Sequence, residues 1–152
     1  MDADCLIKLT KSNLKEVVCE QFDVQISQRV KEEIVDDAEG HPDAAVIKAN
    51  IDTALISLCR SPSPSKKGET EILAVFLRGG YDAICSDDKR FIKRMRFSNI
   101  PYLTPAVFIV LLVRNGKLTA DEGLEKLDAL SFFVSDEEYT VSKAILENER
   151  RA

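Results

Sequence analysis

A chain of 152 residues has the length of one domain and can bury a core without disulfides or a structural metal. With 45% hydrophobic and 31% charged residues and no apolar run near the ~20 residues of a membrane span, it reads as one soluble domain over residues 1–152 with no membrane partner. The formal charge of −5 excludes a protein that is basic throughout, so any nucleic-acid contact must come from a local concentration of Lys and Arg.

The opening Met1-Asp2-Ala3-Asp4 has neither the basic nor the apolar stretch of a secretory signal, so a cytoplasmic location is expected. Residues 2–9 are expected to begin as a short strand and run into a helix. A second helix follows from about Ser12, with Leu14, Val17 and Val18 on one face. Asp23 to Ser27 reads as a strand, and Ser27 suits the N-cap of a helix carrying Val30, Ile34 and Ala38. Gly40 and Pro42 end that helix, and Pro42 suits the first turn of the next. The stretch 44–59 fits helical spacing early and an extended run late. The Ser/Pro-rich 61–68 reads as a surface loop.

A helix over 69–78 is stopped by Gly79-Gly80, and an apolar strand over 81–86 ends in Asp87-Asp88. A basic helix over 87–96, a strand near 100–103 and an apolar helix from Pro105 to Asn115-Gly116 follow. Thr119 caps a further helix. Phe132 to Val134 is expected as an edge strand, and Ser135 with Glu138 as the capping box of the last helix. Strands alternating with helices argue for an α/β fold with a parallel sheet covered on both faces. Cys5, Cys19, Cys59 and Cys85 stand far apart and read as reduced core residues, and the sole histidine, His41, as a loop residue.

In such a sheet, ligands gather beyond the carboxyl ends of the strands, and acids cluster at those places here. Asp2 and Asp4 lie where the first strand meets its helix, and Asp87-Asp88 ends a later strand. At about 100° per residue, Glu33 lies roughly 60° from Val30 and Glu32 roughly 160°. Glu69 lies roughly 60° from Ile72 and Glu71 roughly 100° away on the other side. Glu33 and Glu69 are therefore expected to lean inward. A carboxylate beside a core stripe costs several kcal/mol unless it is paired or binds a cation, and no buried Arg or Lys offers itself for each. Helix capping accounts for any one of these acids. As a set, they supply the hard oxygen ligands that magnesium or manganese selects. Lys89, Arg90, Lys93, Arg94 and Arg96 crowd the helix beside them, as a solvated face or a track for RNA.

The order of these motifs resembles the PIN-domain family. Asp2-Ala3-Asp4-Cys5-Leu6-Ile7 stands where the family has its opening aspartate, and Val30-Lys31-Glu32-Glu33-Ile34 resembles its helix with a glutamate before an aliphatic residue. Gly68-Glu69-Thr70-Glu71-Ile72 resembles its Gly-Glu helix start, and Ile84-Cys85-Ser86-Asp87-Asp88 its strand ending in Ser/Thr-Asp-Asp. The region from about 105 to 152 resembles a C-terminal helical extension of one bacterial and archaeal branch. Two departures are the opening aspartate directly after Met1, which predicts a curtailed first strand, and the acidic net charge.

The resemblance implies a three-layer fold, its central, mainly parallel sheet of about four or five strands flanked by helices. It also implies a ribonuclease in which Asp2, Glu69 and Asp87 hold Mg²⁺ or Mn²⁺ and Glu33 completes the cluster. Asp4 and Asp88 support these ligands or replace them, and Lys89, Arg90, Lys93 and Arg94 steer the RNA. Members of the family are often toxins restrained by a small antitoxin protein, commonly as homodimers, and Val107 to Val113 is expected either as a dimer face or as a core helix. Two other readings stay open. One is a PIN-like binding or scaffold protein that no longer cuts. The other takes Asp2-Ala3-Asp4 as the nucleophile motif of a haloacid-dehalogenase-like phosphatase.

Overall fold

Capping and punctuation residues set most element boundaries in the computed structural model, which describes residues 1–152. Asp2 is the first of them. Its backbone is extended and its Oδ1 accepts the Cys5 amide at 2.8 Å, so helix α1 spans Ala3–Lys11. The strand expected at residues 2–9 is therefore replaced by helix almost from its start. Helix α2 (Lys15–Gln21) and strand β1 (Gln25–Ser27) follow. Ser27 caps α3 (Gln28–Lys31), its Oγ accepting the Val30 amide at 3.3 Å. Without a break, α3 widens into a π-helical segment, Glu32–Asp36.

The stretch 44–59 resolves into helix α4 (Pro42–Asp52), begun by its proline, and strand β2 (Ser57–Cys59). Helix α5 (Gly68–Leu77) ends before Gly79 and Gly80, whose φ values of 94° and 90° side chains disfavour. Strand β3 (Ile84–Cys85) leads to α6 (Lys89–Phe97), capped by Asp88. Strand β4 (Tyr102–Leu103), α7 (Pro105–Arg114), α8 (Ala120–Leu130) and α9 (Asp136–Arg151) complete the chain. No helix is long and apolar enough to cross a membrane.

Helices and parallel strands make the fold α/β, but the single sheet of four or five strands is not formed. Two separate parallel pairs stand in its place, β1 with β2 and β3 with β4, with Ile26 opposite Leu58 and Ile84 opposite Tyr102. Between them pass Met1 and Asp2. The terminal ammonium of Met1 donates to the Gln25 carbonyl and the Asp2 amide to the Cys85 carbonyl, each at 2.9 Å. Because Asp2 already caps α1, two bonded residues bridge the pairs where a strand was expected. Residues 132–134 likewise form a turn, not an edge strand, in which the Phe133 amide donates back to the Leu130 carbonyl at 2.9 Å.

One core of 27 buried residues runs from Met1 to Leu146. Helix α7 lies within it, packed on α1, α2, α8 and α9, with Phe108, Ile109, Val110 and Leu112 buried. The apolar stretch 107–113 is thus mainly a core helix, with Val107, Leu111 and Val113 partly exposed. Full burial of such side chains contributes about 1.5–3 kcal/mol each. Lys15 is wholly buried as well, its ammonium hydrogen-bonded to Asn50 on α4 and 2.9 Å from the Glu16 carboxylate. All four cysteines are free thiols, with Cys5 and Cys19 buried.

Candidate functional site

The backbone bridge between the two strand pairs puts Asp2 at the head of a cleft. Burial raises its carboxyl from the ordinary 3.8 to about 6, against hydrogen bonds from Ser86 and the Cys5 amide and the charge of the terminal ammonium, and the nearby charge of Asp87 adds to the rise. Ser86, fully buried at the end of β3, also accepts the Asp88 amide at 3.2 Å. It ties the head of α1 to the start of α6. No lysine or arginine side chain pairs with Asp2.

The cleft encloses about 470 Å³, and five carboxylates line it: Asp2, Asp4, Glu33, Glu69 and Asp88. They arrive from four places in the chain. Asp2 and Asp4 come from the head of α1, Glu33 from the π-helical segment, Glu69 from the first turn of α5, and Asp88 from the N-cap of α6. The Glu33 carboxylate lies against Gly68, where a Cβ would stand in ordinary contact, 3.5 Å from Glu33 Oε1. Glu33 thereby rests beside the first turn of α5, where the helix dipole favours negative charge and no side chain caps the helix.

Asp87 stands apart from these five. Its side chain, 7% exposed, turns toward a neighbouring groove and bonds to the Lys8 ammonium, which also lies 2.9 Å from Asp4 Oδ2. Asp87 Oδ1 is buried and has no partner. Burial pushes the Asp87 carboxyl up despite Lys8, with Asp4 adding to the rise. For Lys8, partial burial opposes the charge, but the bonds to Asp87 and Asp4 outweigh it and raise its pKa.

The inward lean expected of Glu69 is corrected. Glu69 is exposed on the cleft wall, whereas Glu71, placed on the other side by helical angle, is 3% exposed. It is buried because two amides need an acceptor there, Arg29 and Ser65, each donating to its carboxylate at 3.3 Å. The expectation that no basic side chain serves these acids is corrected too. Arg29 Nε lies 3.0 Å from Glu33 Oε1, and Lys8 serves Asp87. Both had a faint signal, since Arg29 to Glu33 and Asp4 to Lys8 are spaced one helical turn apart.

Around the corner a groove of about 790 Å³ carries Lys8, Asp87, Lys89, Lys93, Arg96, Tyr102 and Phe133 among its lining. Of the expected RNA track, Lys89 and Lys93 face this groove and Arg90 and Arg94 do not. Arg96 joins them, its guanidinium 5.6 Å from the Tyr102 ring centre and Nε donating to the phenol oxygen at 2.8 Å. His41 has a structural part, its Nδ1 accepting the Asp43 amide at 3.3 Å at the head of α4.

No three carboxylate, thiol or imidazole groups stand close enough, as they lie, to hold one metal ion together. The donor set of the cleft nevertheless fits a hard divalent cation: its carboxylates are oxygen donors open to water, and Asp2 among them is paired with no basic side chain, while Asp87 beside the cleft keeps one buried oxygen without a partner. No curated protein and no solved structure matches the chain. One family model does, DUF3368, a PIN domain, and it spans residues 1–148. Acids gathered from the ends of parallel strands and a family match over nearly the full length lead to one identification: the chain belongs to the PIN-domain family.

Proposed function

We propose that this chain is a metal-dependent endoribonuclease whose cleft holds Mg²⁺ or Mn²⁺ through Asp2, Glu69 and Asp87, with Glu33 completing the cluster. PIN domains are generally metal-dependent nucleases that act on RNA. The observation that carries the reading is Asp2, a partly buried carboxylate at the meeting point of the strand pairs that no basic side chain pairs with and that shares its cleft with four other acids and one lysine, Lys67. Asp4 and Asp88 are the alternative ligands; both line the cleft, and Asp88 has the stronger geometric claim because Asp4 is held on the rim by Lys8.

When bound, such an ion activates water and offsets charge on the departing oxygen of a phosphodiester. The chain's own residues do the rest. Asp2, Glu33 and Glu69 orient what binds in the cleft, and Asp2 does so from a fixed position because its Oδ1 is held by the Cys5 amide. Lys89, Lys93 and Arg96 offer cations along the adjoining groove, and Tyr102 and Phe133 offer ring faces for unstacked bases. A toxin role, with a small antitoxin protein as inhibitor and a homodimer as the assembled form, extends this reading and rests on the resemblance to the PIN-domain family alone.

Asp2→Asn tests the reading cleanly, since asparagine keeps the cap acceptor and removes only the charge. Manganese-dependent cleavage of RNA is expected to fall by about a hundredfold or more, and Asp87→Asn to act in the same direction. Undiminished cleavage by folded Asp2→Asn protein would remove the assignment. A second reading, a PIN-like binding or scaffold protein, is favoured by the pairing of Asp87 with Lys8 and Glu33 with Arg29. Absence of manganese binding in a calorimetric titration selects it. The phosphatase reading is set aside, because the family match lies elsewhere and Asp4, its second aspartate, is turned outward onto Lys8.

A further inference from the structure

Lys8 is the one basic side chain that touches two of the acids at the strand ends, and its placement is peculiar. Its ammonium joins Asp4, 63% exposed on the cleft rim, to Asp87, which is 7% exposed in the groove. Asp87 offers Lys8 only Oδ2. Oδ1 of the same carboxylate is buried with no donor in reach, so the pair leaves half of its acceptor capacity unused. A structural salt bridge inside a protein ordinarily satisfies both oxygens. This one is half made.

We propose that Lys8 is a resident counter-cation that a divalent ion displaces from Asp87. In this structure Lys8 pairs with Asp87, which lies outside the cleft that Asp2, Glu33 and Glu69 line. A divalent ion carries twice the charge of an ammonium and can use the oxygen that Lys8 leaves bare. Lys8 sits on a flexible stem and keeps its second partner, Asp4, so it can yield Asp87 without being stranded. Its charge is the same before and after; only its partner changes. Lys8 already lines the groove with Lys89, Lys93 and Arg96, and its release from Asp87 leaves its charge less neutralised there. Ion binding and polyanion binding are thereby coupled, each favouring the other. The inference rests on the reading of these acids as an ion site.

The test is a calorimetric titration of Mn²⁺ into the wild-type protein and Lys8→Met, with Lys11→Met, one turn further along α1, as the control for loss of a nearby charge. Removal of the competing ammonium is expected to tighten Mn²⁺ binding about tenfold or more in Lys8→Met, while Lys11→Met stays within about threefold of wild type. Lys8→Gln, which can still hydrogen-bond Asp87, carries the same expectation should Lys8→Met fail to fold. Lys8→Arg, which retains the charge, is expected to bind as wild type does. Equal or weaker binding by the neutral variants, or an equal gain in Lys11→Met, overturns the displacement alone. No Mn²⁺ binding by any of these proteins overturns both the displacement and the ion site beneath it.

Discussion

The acid-lined cleft and the C-terminal helices α7, α8 and α9 use the same residue types to opposite ends. Among the helices, several carboxylates are paired or used as caps. Glu122 reaches back to the Thr119 amide at 2.7 Å while Thr119 accepts the Glu122 amide, and Glu138 accepts the Ala106 amide at 2.8 Å. Arg114 holds Glu149 at 2.8 Å and Arg150 holds Asp121 at 2.9 Å. Gly123 lets α8 approach its neighbours so closely that a Cβ would fall 2.7 Å from Val113 Cγ2. In the cleft, by contrast, Asp2 is partly buried without a paired basic side chain and shares the cleft with four other acids. The helices bind the structure together, and the cleft holds charge that makes the fold less stable than it could be. Acids placed at a net cost are better explained by a ligand than by the fold.

Substitutions should separate the two regions by sign. The largest effect is expected from Leu146→Ala, which empties a fully buried position on α9 and should lower the unfolding free energy by about 2–5 kcal/mol in a urea titration. Next is Asp2→Asn, with the opposite sign. Below the ordinary 3.8 the Asp2 carboxyl is protonated whether folded or not; between 3.8 and about 6 only the unfolded chain gives up the proton, so stability falls as pH rises; above about 6 the full cost remains. The variant should therefore match wild type near pH 4 and exceed it by up to about 3 kcal/mol at pH 7, measured in EDTA. Glu71→Ala leaves the Arg29 and Ser65 amides without their acceptor and should cost about 1–3 kcal/mol by the same measurement. Smallest is Thr119→Ala, expected to lose about 1 kcal/mol with its cap. A stabilising result at Leu146 or Thr119, or a destabilising one at Asp2, would break the contrast.

Much of the helical frame was legible because caps and breakers act locally. Ser27, Pro42, Gly79-Gly80 and Thr119 each start or stop a helix where their chemistry says they should. The last helix shows the limit of that reasoning: Ser135 does accept the Glu138 amide, at 3.2 Å, but Glu138 does not return the bond, because the Ala106 amide lies within reach and needs an acceptor. A partner 32 residues away is invisible to a local motif.

The same blindness explains the site. Pattern located the acids at the strand ends, but not the lysine 79 residues from Asp87 that claims it, nor the two amides that draw Glu71 inward. Angles computed for a regular helix could not foresee the π-helical turn that carries Glu33, since Glu-Glu-Ile-Val-Asp has no residue that demands one. Strand extent was misjudged for a related reason. Apolar runs such as 81–86 mark buried chain, yet only Ile84 and Cys85 find a ladder partner.

The most direct measurement is a crystal soaked in manganese and examined by anomalous scattering at the manganese edge. The expected peak lies in the cleft, within coordinating distance of Asp2 and Glu69 and of an aspartate from the 87–88 pair. A cleft free of anomalous density at a saturating manganese concentration, with Asp87 still on Lys8, would contradict the assignment of these acids to a metal.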